Sequence, residues 1–325
     1  MSAEPPEVPS SGTSLIRRIP SALKQHVVDR AVNAVNHLVG AYAPRILADS
    51  QSARDERNAR STIIAEVAKE AAKQAAADPE VAARMLNRLF GEEIKAQVNR
   101  EAVAAKAIEH LKGETIEKDD DDTSKPIDDD WLNLFSKFAE RATSESLQDI
   151  WARILAGEIR KPGAFSPVTL QFISIVDAPT AAIINKVLPW AVDQDWIPNF
   201  AIGKGLEFSD LIFLEEIGFG SGSPGTLSMT MNCQPNGTVM MRAGNAGIVV
   251  ENNKQPVTLP AFNLSLAGKQ LCRIVNIESK AVEIIDGLKR TIPRATISLG
   301  TVEPAGGGQY HFQNMKEIYR PAPSS

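Results

Sequence analysis

Residues 128–174 read DDDWLNLFSKFAERATSESLQDIWARILAGEIRKPGAFSPVTLQFIS, and the fold class turns on this stretch. Asp128, Asp129 and Asp130 suit a helix start, where negative charge meets the positive end of the helix dipole. The spacing of Trp131, Leu134, Phe135 and Phe138 gives that helix one buried face. Ser144 can cap a second helix, whose stripe is Leu147, Ile150, Trp151, Ile154 and Leu155. Lys161-Pro162-Gly163 reads as a turn. Ser166-Pro167 then opens a third helix, with serine as cap and proline in the first turn, where its missing N–H costs nothing. Short helices packed on tryptophan and phenylalanine anchors are expected.

Upstream, helical spacing continues for most of the first hundred residues. Ile16, Ile19, Leu23, Val27, Ala31, Val35, Leu38, Tyr42 and Ile46 recur every three or four positions, so an amphipathic helix is predicted from Leu15 to about Tyr42. Pro20 falls near its start and Pro44 should kink or end it. Ile63, Ile64, Val67, Ala71 and Ala75 mark a second helix. Asp78-Pro79-Glu80 restarts a third, lined by Val81, Met85, Leu86, Leu89 and Phe90, with Gly91 a point where it could break. Ile94, Val98, Ile108 and Leu111 carry the pattern to Gly113. Glu114–Asp130 is the clearest linker: four consecutive aspartates repel one another and Lys125-Pro126 disfavours helix. It has neither the ligand spacing nor the closing glutamate of a calcium loop. Met1–Ser14, rich in Pro, Ser and Glu, reads as a disordered leader.

Downstream of Trp190 the helical period weakens. Ser209 is placed to cap a short helix carrying Leu211, Leu214 and Ile217, stopped by Gly218. Strands are expected at Leu227–Met231, Thr238–Arg242, Gly247–Val250, Val257–Leu259, Val282–Ile285, Thr296–Leu299 and Tyr310–Phe312, with a helix at Ala267–Val275. Pro235-Asn236-Gly237 and Asn252-Asn253 are hairpin turn signals.

Composition narrows the function classes. The apolar fraction is 43% and the charged fraction 23%, ordinary for a globular chain, and the net charge of -5 argues against coating nucleic acid. Cys233 and Cys272 show no CxxC spacing and fit a reducing compartment. No apolar run is long enough to span a membrane and the N-terminus lacks the shape of a secretory signal, so a cytoplasmic protein is expected, with peripheral attachment to the inner membrane face as a variant. His26, His37, His110 and His311 are scattered, with His26 and His37 read as solvated. Gly220, Gly222 and Gly225 spell GxGxxG, but after a helix and before β-prone sequence, the wrong context for a phosphate loop. Glu158 could serve as a general acid; pairing with Arg160 or Lys161 is the blander reading. No catalytic residue, metal site or cofactor is assigned.

The one candidate surface lies on the first helix. Arg17, Arg18, Lys24 and Arg30 give it a basic face beside the apolar Ile19, Leu23 and Val27. Core packing or coiled-coil pairing, an anionic membrane surface and nucleic acid could each receive such a helix.

The Trp131–Ser174 block, Leu147–Ser174 above all, resembles the bacterial family of unknown function DUF2806. It is loosely similar to abortive-infection alpha proteins, which share a helix–Trp–helix stretch. The resemblance implies a bacterial origin and a role in phage defence or stress; it transfers no site residue. DLIFLEEIGF (Asp210–Phe219), the strand-rich interval after it and FNLSLAGKQLCRI (Phe262–Ile274) resemble the end of a winged-helix domain. The expected architecture is therefore a disordered leader at 1–14, long amphipathic helices at 15–113, an acidic linker at 114–130, a helical domain with a Trp/Phe core at 131–205, and an α+β, winged-helix-like region at 206–325. The expected function is that of a non-enzymatic interaction protein, a homo-oligomer with self-association or membrane engagement through its helices. Duplex DNA is not an expected partner. A transcriptional regulator and an enzyme without a recognisable motif are the alternatives.

Overall fold

The computed structural model describes residues 12–40, 62, 66, 69, 79–113, 124–222, 225, 227–252, 254–275, 278–306 and 309–321. Most of the leader, the Ile63–Ala75 stripe, Asp78, the chain from Tyr42 through Ile46 and the linker from Glu114 to Thr123 lie outside these residues, as do the side chains of Val81, Met85, Leu86 and Leu89. The chain divides into two compact units, the first ending at Ala164 and the second running from Phe165 to the C-terminus, with residues 116–122 assigned to the second. The first is helical; the second adds antiparallel sheets, so the chain is α+β.

Unit 1 contains α1 (Gly12–Arg17), α2 (Gln25–Val39), α3 (Pro79–Gly113), α4 (Asp129–Ala139) and α5 (Glu145–Arg160). The single helix expected from Leu15 is two. Pro20 has no N–H to donate and pushes Ile19 out of the helical region, so the chain turns between Arg18 and Lys24 before α2 begins. Helix α1 also starts within the stretch read as leader. Gly91 does not break α3, which continues for 35 residues, about 52 Å at 1.5 Å per residue. A lone glycine costs a helix only about 1 kcal/mol, too little to stop one supported on both sides.

The cap read at Ser144 is present, its side chain accepting from the Leu147 N–H at the start of α5, and Asp128, placed at a helix start for its charge, caps α4 by accepting from the Trp131 N–H. Trp131 stacks on Phe135 (centroids 5.1 Å apart), Phe135 meets Trp151 edge-on (5.7 Å) and Phe138 stacks on Trp151 (5.5 Å). Leu132, not Leu134, is the fully buried leucine of α4. This cluster shares a core with α2 and α3: Ala31, Val35, Leu38, Ala104, Ile108 and Leu111 are buried with it. The separate helical domain expected at 131–205 is thus divided. Residues to Ala164 complete the N-terminal unit, and the remainder belongs to the C-terminal one. Ile127, at the end of the acidic stretch, is buried as well.

Unit 2 opens with α6 (Pro167–Ile175) and α7 (Ala178–Val187), capped by the side chains of Ser166 and Asp177. Then come β1 (Trp196–Pro198), α8 (Phe208–Glu216), β2 (Gly220–Ser221), β3 (Ser228–Met231), β4 (Thr238–Ala243), β5 (Ala246–Glu251), β6 (Val257–Leu264), α9 (Leu266–Ile274), α10 (Ala281–Thr291), β7 (Thr296–Gly306) and β8 (Gln309–Tyr319). One sheet has the order β1-β6-β2, with β3 continuing along β6; the other has the order β4-β5-β7-β8. Helix α6 is fixed on α9 by Gln270, whose side-chain oxygen accepts from the Thr169 hydroxyl (2.5 Å) and the Ser166 N–H (3.0 Å).

Three expectations change here. Residues 282–285 are helical, because Ala281, Ile284, Ile285 and Leu288 are spaced for one buried face and α10 uses it. Gly287 lets α10 lie directly against Phe200, whose ring occupies the place of any Cβ. The cap of α8 is Glu207 in a reciprocal box with Asp210, not Ser209. Finally, Asn236-Gly237 and Asn252 sit at turns that close no hairpin, since β3 pairs with β6 and β4 with β5. Turn chemistry reports a local reversal; the partner strand is chosen by burial of Val257, Leu259 and Ala261 on β6.

Candidate interaction surface

The seven residues singled out on the first helix are scattered by the fold. Val27 and Arg30 are buried, Ile19 and Leu23 half-buried, and Arg17, Arg18 and Lys24 exposed. Arg18 pairs with Glu109 of α3 at 2.7 Å. Most of the apolar stripe on α2 is therefore spent inside unit 1, against α3, α4 and α5.

Arg30 shows what holds it there. Its guanidinium donates to the carbonyl oxygens of Arg160 (2.9 Å) and Lys125 (3.4 Å). Burial pulls its pKa down, and the negative charge of Glu158 pushes it back up. Glu158 is 2% exposed and accepts the Gly163 N–H at 2.5 Å, closing the Lys161-Pro162-Gly163 turn. Arg160 donates to the His110 carbonyl at 2.7 Å. The charge acting on Glu158 includes that of Arg30, 128 positions away in sequence, which a reading confined to Arg160 and Lys161 leaves out. Arg30, through its bond to the Arg160 carbonyl, clamps α2 to the end of α5.

Around this clamp runs a row of ion pairs from α3. Arg100 meets Glu140 (2.9 Å), Lys106 meets Glu145 (3.0 Å) and His110 meets Asp149 (2.7 Å), which also accepts from Arg153 (2.9 Å). Partial burial of Asp149 pushes its pKa up, but the bonds from Arg153 and His110 outweigh this and hold it below the usual carboxylate range. His37 is half-buried, not solvated: desolvation lowers its pKa, opposed by the Asp129 charge and a bond to Asn133. These partners are set by spacing along α3 and read as packing, not chemistry.

In unit 2, burial pushes the Cys272 thiol up to about 12, which leaves it without thiolate character at neutral pH. Gly220 lies in β2, and Gly222 and Gly225 have positive φ, with β3 and no helix after them. Among the described residues no group of three His, Cys, Asp or Glu side chains could hold a metal. No single described helix is long and apolar enough to cross a membrane; α6 and the Ala178–Trp190 segment reach that mark only as a pair bent by 118°.

What the fold leaves open is a stripe the sequence did not single out as a surface. On α3, Phe90 (39% exposed), Ile94 (62%) and Val98 (41%) follow one another at four-residue spacing. They lie about a third of a turn from the face carrying Val103, Ala104, Ala107, Ile108 and Leu111, which is buried. The signal is present in the sequence as one apolar stripe along α3, and only packing shows that its first half is left open while the half from Val103 on is buried.

The fold is that of a two-unit α+β protein. Residues 83–201, from within α3 to the 3-10 turn after β1, match the family described as "Protein of unknown function (DUF2806)", which establishes the resemblance read from the Trp131–Ser174 block and extends it on both sides. No curated protein and no solved structure matches the chain.

Proposed function

We propose that the chain is a non-enzymatic interaction protein that associates through a helix face, and that this face is Phe90–Ile94–Val98 of α3. The observation that carries the reading is the exposure of three large apolar side chains in one row on a helix whose other apolar face is already covered. Exposed apolar rows on otherwise well-packed units mark contact sites. The earlier candidate, the basic helix at Ile19–Val27, is a weaker one because Val27 and Arg30 are enclosed. A role in bacterial phage defence and attachment to an anionic membrane are extensions of this reading; the first rests on the likeness to abortive-infection alpha proteins, the second on the exposed Arg17 and Lys24. Sedimentation of the whole protein tests it. Wild type should associate with a dissociation constant on the order of 10 µM, since the row is smaller than a standard interface. Ile94→Glu should be monomeric with an unchanged melting temperature. A wild type that stays monomeric, or a variant that associates equally well, would remove the reading.

Unit 2 supports a winged-helix-like description used for protein contacts. The sheet order β1-β6-β2, with α8 leading directly into β2, is the arrangement such a domain requires. Its charge disfavours DNA: Glu207, Asp210, Glu215 and Glu216 lie on or cap α8, and from Leu211 to Gly268 only Arg242 and Lys254 are basic. Duplex binding depends on Lys and Arg reaching phosphates. The full chain is expected to show no salt-sensitive binding to a mixed-sequence duplex below roughly 10 µM, within the range of ordinary non-specific binding. Sub-micromolar binding that weakens in salt would instead favour the regulator.

A further inference from the structure

We propose that the row on α3 receives the same row of a second copy, with the two helices near-parallel, Ile94 on the two-fold axis, and Glu93 and Lys95 exchanged across it. This rests on the reading above and adds the partner and its orientation. Phe90, Ile94 and Val98 form one short ridge of the i±4 kind, centred on Ile94. A two-fold axis through Ile94 makes it self-complementary, as an isologous pair must be.

The charges beside Ile94 choose the orientation. Successive residues on a helix lie about 100° apart, so Glu93 and Lys95 stand on opposite flanks of Ile94, and both are exposed. In a near-parallel pair each flank faces the other flank of its mate. Lys95 then meets the partner's Glu93, and Glu93 meets the partner's Lys95. In an antiparallel pair like flanks meet, setting Lys95 near the partner's Lys95 and Glu93 near the partner's Glu93. Only the near-parallel pair is electrostatically complementary, and complementarity of this kind fixes partner and register.

The experiment is a charge swap on the full chain, read by sedimentation at low salt and moderate protein concentration. Lys95→Glu and Glu93→Lys should each weaken association about tenfold, by replacing two exposed attractions with two repulsions. The double variant Glu93→Lys/Lys95→Glu should restore wild-type affinity, because each new lysine faces a new glutamate. In a Cys233→Ser background, Ile94→Cys should form an intermolecular disulfide on mild oxidation. Association that is indifferent to the single changes, or that the double variant fails to restore, overturns this pairing while leaving helix-mediated association standing. A wild type that does not associate overturns both.

Discussion

Replacing Trp151 with alanine should lower the stability of unit 1 by about 3–5 kcal/mol, the usual cost of truncating a buried aromatic. Trp151 is 2% exposed and meets both Phe135 and Phe138, and Phe135 in turn stacks on Trp131. Its removal leaves a cavity that two rings border, and α4 is tied to α5 through those rings. Geometric aromatic contacts add to the lost area burial, so the site has little freedom to collapse. A fall in melting temperature of about 10 °C is expected for a unit of this size. Thermal denaturation followed by near-UV circular dichroism measures it directly. A melting temperature within a degree of wild type would mean that the cluster does not hold the two helices together.

A second large effect is expected at the Arg30–Glu158 clamp. Arg30→Leu removes the guanidinium that donates to the Arg160 and Lys125 carbonyls and leaves Glu158 buried beside an apolar side chain. Breaking a buried ion pair in this one-sided way costs about 3–5 kcal/mol. Changing both partners, Arg30→Leu with Glu158→Leu, should cost less than Arg30→Leu alone, because no uncompensated charge remains. Urea titrations of the two single variants and the double variant give the coupling energy. Additive losses would show that the two side chains do not act as a unit, and a loss below about 0.5 kcal/mol for Arg30→Leu would place it with ordinary surface substitutions.

The legible parts of this protein were those fixed by neighbours in sequence. Caps at Asp128, Ser144 and Ser166 depend on a side chain three residues from the N–H it accepts, so they could be read without the fold. The Trp131–Phe135–Phe138–Trp151 cluster was likewise implied by helical spacing on two adjacent helices. The strands at 228–231, 238–243 and 246–251 followed from short β-prone runs between turn residues.

The tertiary structure decided what lies between distant segments. Spacing predicted a buried face on the 281–288 stretch only if helix was assumed, and three β-branched residues in a short window, Val282, Ile284 and Ile285, suited a strand equally well. Only packing chose α10. Turn residues located the reversals at Gly237 and Asn252 but could not say that β6 would pair with β1, β2 and β3 while β5 paired with β4 and β7. Most of all, amphipathic spacing identifies an apolar face without saying what covers it. The stripe from Ile19 to Val27 and the row from Phe90 to Val98 look alike in sequence. The first is largely closed because α3, α4 and α5 pack on α2, whereas the second lies in the first half of α3, ahead of the buried stretch from Val103 to Leu111, and stays exposed. Burial is a property of the other helices' positions, and no local pattern contains it.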